Sequence, residues 1–140
     1  MSIITDTRVS ENTKIASTSP IPVLTLGKIC DEVCTDVFDN VRNYDHEKST
    51  AWNNEIIQLV LKGIEKESSA QNYKYIVYVT TIERVSDAPS ESDSPSRGIR
   101  TSSGGFWNPE KDGMWNHKWT TSGTNIDVVF SIAWIHSTNP

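Results

Sequence analysis

Basic residues are in the minority in this sequence: 13 Lys and Arg against 18 Asp and Glu leave a net charge of −5. A chain of that sign lacks the electrostatic footprint of a nucleic-acid or anionic-membrane partner. Long apolar runs are missing as well. None approaches the roughly 20 residues of a membrane span, and residues 1–8 show no basic start followed by an apolar core, so they do not read as a secretory signal. Cysteine is scarce. Cys30 and Cys34 stand four apart in a helical pattern, which fits no disulfide framework. Zinc would need two further ligands, and His46, His117 and His136 form no metal-binding spacing with them. The pair reads as small apolar residues on a buried helix face of a reduced, intracellular protein.

Catalytic signatures are absent too: no phosphate loop, nucleophile elbow, zinc-protease motif or dinucleotide fingerprint occurs. The glycine-rich Ser102–Gly105 precedes a strand end and not a helix, so it lacks the terminal dipole a phosphate would use. Asn108–Gly113 places oxygens at positions one, three and five with glycine at six, in the manner of a calcium loop. Position twelve is Trp119, however, where a bidentate glutamate is needed, so Asp112-Gly113 reads as turn chemistry. These absences predict a noncatalytic protein without metal or cofactor.

Large rings, by contrast, are concentrated. Four of the five tryptophans (Trp107, Trp115, Trp119 and Trp134) lie in the last third, beside Phe106, in a segment otherwise polar. A length of 140 residues fits one domain. The apolar content of 36% and mean hydropathy of −0.45 sit low for a compact globule. Residues 1–24, rich in Ser and Thr with Pro20 and Pro22, read as a flexible arm, and 86–97 as a disordered acidic Ser/Pro-rich loop.

The remainder, 25–140, carries two periods. Ile29, Val33, Val37 and Val41, with Cys30, Cys34 and Phe38 beside them, predict an amphipathic helix over 26–44, capped by Thr25. Trp52, Ile56, Leu59, Val60 and Gly63 predict a second helix ending near Glu67, capped by Ser49 or Thr50. After Asn72 the period becomes two. Tyr73–Val85 predicts a strand apolar enough on both faces to be covered, and shorter strands follow near 98–107, 114–120 and 126–135. Ile126, Val128, Phe130, Ile132 and Trp134 share one face of the last. The order predicts an α+β domain, two N-terminal helices on a four-stranded antiparallel sheet.

The strand over 98–107 is the odd element. A long polar loop precedes it and a proline-bearing link follows, so nothing ties it into a hairpin. Its small side chains allow another backbone to approach. Exchange with a second copy and acceptance of a partner peptide are both open to it, as is the role of an ordinary edge strand in a monomer.

Several segments, taken together, resemble the Tctex-type dynein light chains. They are Asp31-Glu32-Val33; Tyr44 and His46 ahead of Trp52 and Ile56-Ile57; Tyr73–Val77; Thr101 followed by Phe106-Trp107; Asp112-Gly113; Trp119; and Val128–Trp134. The resemblance runs from about Ile29 to Ile135. It implies a strand-exchanged dimer, homo- or heteromeric with a related light chain, that binds the disordered N-terminal region of a dynein intermediate chain by strand addition. The implied partner-binding strand is Gly98, Ile99, Arg100, Thr101, Ser102, Ser103 and Gly104. Phe106, Trp107, Trp115 and Trp119 are then read as dimer-interface rings, Trp134 as core, and Trp52 as the contact of the second helix with the sheet. The implied setting is a dynein complex on microtubules, cytoplasmic or in the ciliary axoneme, and the rival reading is a dynein-independent adaptor using the same groove. The 86–97 loop and the arm are longer than the family pattern, and Gly104-Gly105 replaces bulkier small residues, which predicts a more flexible strand.

Overall fold

The computed structural model describes residues 2–3, 19–67, 69, 71–85, 100, 102 and 104–137. Two helices, α1 (Val23–Val37) and α2 (His46–Glu65), pack on an antiparallel sheet of β2 (Tyr73–Glu83), β4 (Gly113–Trp119) and β5 (Ile126–His136) in the order β2-β5-β4. A separate two-residue pairing joins β1 (Ser2–Ile3) to β3 (Phe106–Trp107). The architecture is the α+β arrangement expected, with three strands in the main sheet among the described residues. Of the strand expected over 98–107, those residues show only its end, β3. The 86–97 loop lies outside them.

Folded structure begins before the expected boundary at residue 24. Ile21 is fully buried, and the Pro22 carbonyl accepts from Thr25 and Leu26 N–H at 2.9 and 3.0 Å, so Pro22 and not Thr25 starts α1. A proline fits there because the first helical amides need no partner in the preceding turn. The helix stops at Phe38, not near Tyr44. Asp39 and Asn40 follow, residues whose short polar side chains favour turns over helix, and Val41 reaches the core from irregular backbone. The start of α2 moves the other way. Asp45 holds extended backbone and its carboxylate accepts from Glu47 N–H at 3.0 Å, which makes it the cap. Ser49 sits inside the first turn, its hydroxyl donating to the His46 carbonyl at 2.7 Å.

Leu26, Cys30, Cys34 and Phe38 form the buried row of α1, and Trp52, Ile56, Val60 and Ile64 that of α2. Both rest on the inner face of β5, where Ile126, Val128, Phe130, Ile132 and Trp134 alternate inward as expected. The helices meet closely at Gly63: a Cβ there would stand 2.9 Å from Ile29 Cγ2. At the rim of the sheet the Arg84 guanidinium donates to Asp127 Oδ1 (2.6 Å), Thr120 Oγ1 (2.9 Å) and the carbonyls of Thr121 (3.0 Å) and Thr124 (2.5 Å). It ties β2 to the 120–125 turn. Asp127 is 7% exposed, and Lys118 stands farther off at 3.8 Å. Arg84→Met should therefore lower unfolding free energy by about 2 kcal/mol, the scale of hydrogen bonds to a charged group left without its partner. Urea denaturation checks this, and a change below about 0.5 kcal/mol, the size of an ordinary surface substitution, would remove the clamp.

Burial pushes the Cys30 thiol up to about 12, with Asp31 adding to it, and it raises Cys34 as well, helped by Cys30 and Asp31. Burial likewise raises Tyr75 to about 12. In the unfolded chain a thiol ionises near 9.0. Between pH 9 and about 12 the unfolded chain thus holds fewer protons than the folded one, and stability falls with rising pH. The expected slope is on the order of 1 kcal/mol per pH unit for each protonated thiol, with full stability below pH 9. Urea midpoints measured from pH 8 to 11 should show it, and Cys30→Ala/Cys34→Ala should flatten the slope while lowering the plateau. An equally steep slope in that variant would assign the alkaline loss elsewhere.

Candidate functional site

The ring-rich segment is built around one turn. Asn108 accepts from Lys111 and Asp112 N–H through its carbonyl at 3.1 and 2.8 Å, and from Glu110 N–H through its side chain at 2.9 Å. The Asp112 carboxylate, 8% exposed, accepts from Asn108 N–H at 3.0 Å and from His136 N–H at 2.7 Å. One buried carboxylate so fixes where β3 leaves off and β4 begins, and pins both to the end of β5. That second anchor across the sheet is invisible in local sequence.

Ahead of the turn, the Trp107 indole folds back over Gly105. A Cβ at residue 105 would lie 2.6 Å from two ring carbons, so glycine here is a steric requirement of the ring. Trp107 Nε1 is buried without an acceptor among the described residues, a costly state for an N–H. Phe106 is 73% exposed.

Past the turn, Trp115 and His117 share the helix-facing side of β4 and stack with centroids 5.0 Å apart. His117 Nε2 lies 2.8 Å from Asp31 Oδ1, joining β4 to α1. Trp119 is 8% exposed and stacks on Phe38 at 5.5 Å; Phe38 meets Trp52 edge-on at 5.2 Å, and Tyr44 closes the cluster at 6.2 Å from Trp52. Trp119 is therefore packed within this chain's own core, Trp115 is partly buried against it, and of the four rings read as interface Phe106 presents the most surface.

Of the seven residues expected to bind a partner strand, Gly98, Ile99, Thr101 and Ser103 lie outside the described residues. Arg100, Ser102 and Gly104 are exposed and belong to no strand.

Two surfaces were less plain in the sequence. Because the order is β2-β5-β4, the outer edge of β4 has no ladder partner among the described residues. The sheet face turned away from the helices carries Ile76, 43% exposed, and Tyr78, 61% exposed, opposite Ala133 and Ser131 of β5, with Met114 and Asn116 of β4 across them. The alternation of β2 marked both its faces as apolar, yet within one chain only one is covered. An open cleft of about 390 Å³ lies among Arg42, Arg84, Val85 and residues 122–125, but Arg84 turns its donors to the clamp described above. Among the described residues no group of three His, Cys, Asp or Glu side chains could hold a metal, and no helix is long and apolar enough to cross a membrane.

The comparisons with known proteins converge. The model of the Tctex-1 family matches residues 20–135. A Dynein light chain Tctex-type of Schizosaccharomyces pombe is 39% identical over 116 residues, which cover 83% of this chain and 96% of that protein. Topoisomerase I damage affected protein 2 of Saccharomyces cerevisiae is 30% identical over 118 residues, 84% of this chain and 90% of that protein.

Proposed function

The chain belongs to the Tctex-1 family, and from that premise we propose that it is a noncatalytic light-chain subunit of a dynein motor on microtubules. In this reading two copies exchange the 98–107 strand and each dimer binds two dynein intermediate chains, whose disordered N-terminal regions add as strands beside the exchanged ones. The observation that carries the reading is the open outer edge of β4, a row of backbone donors and acceptors awaiting a strand. The exposed Ile76 and Tyr78 support it, since large apolar side chains on an open sheet face gain by meeting a symmetric copy. Phe106 and Trp107 would close one end of the groove. Backbone ladder bonds would supply affinity and side-chain pockets the register. Bivalency would add avidity, because the second peptide on a paired intermediate chain binds intramolecularly.

The test is a calorimetric titration of the purified protein with an intermediate-chain N-terminal peptide, its mass in solution measured first. One peptide per subunit of a dimer is expected. A clean dimer that takes no peptide would reject the intermediate chain as partner, and a persistent monomer would reject the exchange with a second copy.

A second reading has one observation behind it: the relative named for topoisomerase I damage matches 84% of this chain, and its name carries no dynein. In that reading the same groove serves a dynein-independent adaptor for other linear motifs. Co-sedimentation with dynein heavy chain separates the two.

A further inference from the structure

The edge of β3 is already occupied. Ser2 lies opposite Trp107 and Ile3 opposite Phe106 in antiparallel register, so the chain's own first residues form a strand on the segment that ends the groove. Nothing in the ordinary logic of the fold requires this. The pairing is separate from the main sheet, which closes around β5 without it, and residues 2–3 are joined to the folded chain at Ser19 only through residues 4–18.

We infer that residues 2–3 are a built-in competitor for strand addition, occupying the Phe106–Trp107 edge until a partner strand displaces them. The inference rests on the strand-addition reading above. Three features fit the role. The pairing uses backbone groups of Phe106 and Trp107, which a partner strand that runs on past residue 104 would also use, so the two occupants cannot share that edge. It is short, two residue pairs, so a longer strand added along 98–107 can displace it. It is also covalently tethered, which sets its effective concentration on the order of millimolar whatever the concentration of the protein. A weak occupant at that concentration lowers partner affinity without blocking it.

The state with the arm paired is also incomplete. Trp107 Nε1 is buried with no acceptor among the described residues, so a partner strand bringing an oxygen to the ring would satisfy a costly buried donor.

The full-length protein is compared with Ser2→Pro/Ile3→Pro, which leaves neither residue a ladder donor, and with a full chain lacking only residues 2 and 3. Amide exchange comes first, since it needs no partner. Whichever of the Phe106 and Trp107 amides points at residues 2–3 should exchange faster in both variants, since only one of two adjacent residues faces a given edge, while β5 amides stay unchanged; unchanged rates at both residues 106 and 107 would overturn the inference. The intermediate-chain peptide is then titrated into all three proteins. Affinity should rise by about three- to tenfold in the variants, the factor for a competitor at about 1 mM effective concentration whose own dissociation constant is about 0.1–0.5 mM. Unchanged or weaker affinity would overturn the competitor role. Failure of all three to bind would reject the strand-addition reading, and the competitor role with it, while the exchange data would still decide whether the arm pairs.

Discussion

Trp119→Ala should lower the unfolding free energy by about 3–5 kcal/mol, the range for deleting a buried aromatic, and by a similar amount at every protein concentration. The indole is 8% exposed, stacks on Phe38 and stands in register with fully buried Val128. Its removal would open a cavity where the C-terminal end of α1, the start of α2 and the last residue of β4 converge, because Phe38 also packs edge-on against Trp52. Ring contacts of this kind add about 0.5–1.5 kcal/mol each beyond the area they bury. Urea unfolding over a hundredfold range of protein concentration separates this core role from an interface role. A Trp119→Ala protein with unchanged subunit stability but a weakened dimer would place the ring between subunits.

The assignment of Trp119 shows what local pattern can and cannot supply. Alternation along Ile126–Trp134 specified the inner face of β5 because a central strand buries every second residue, and five positions repeat the signal. The Trp115–Trp119 stretch carries no comparable repeat. Its rings stand among Asn116, His117 and Lys118, and whether they face the chain's own helices or another subunit depends on how far α1 extends. That end depended on Asp39 and Asn40, turn formers that lie under an unbroken apolar spacing from Ile29 to Val41. Caps were misplaced for a related reason: Asp45, Ser49 and Thr50 are all acceptable by residue type, and the extended backbone at residue 45 decides among them.

Long-range polar anchors were beyond reach altogether. Arg84 joins Asp127, 43 residues away in sequence, and Asp112 joins the His136 amide, 24 away. Neither spacing has a signature, because the partners are brought together by strand pairing. Gly105 is instructive in the opposite direction. Read as a source of strand flexibility, it is instead the space that the folded-back Trp107 ring fills. The proposed groove rests on resemblance alone. Small residues over 98–104 are compatible with exchange, peptide capture or a plain edge, and it is the family that favours the first two.

The exposed sheet face gives the sharpest test of the proposed dimer. Tyr78→Asp should raise the dimer dissociation constant by roughly 100-fold or more, since an unpaired carboxylate buried between apolar faces costs several kcal/mol and each 1.4 kcal/mol is tenfold. Symmetry doubles the effect: in an isologous interface the substitution enters from both subunits, and two like charges approach one another. In the single chain the same change is mild. Tyr78 is 61% exposed, opposite Ser131 on β5, so the subunit should lose at most about 1 kcal/mol from strand preference. Tyr78→Phe keeps the ring and should leave the dimer intact. Sedimentation equilibrium on the three proteins reads the dissociation constant, with urea unfolding to confirm that each subunit is folded. A folded Tyr78→Asp protein that dimerises as tightly as the parent would exclude this face from the interface. The open edge of β4 would then have to hold the two copies together by exchanged strands alone, with Ile76 and Tyr78 left to solvent or to a different partner.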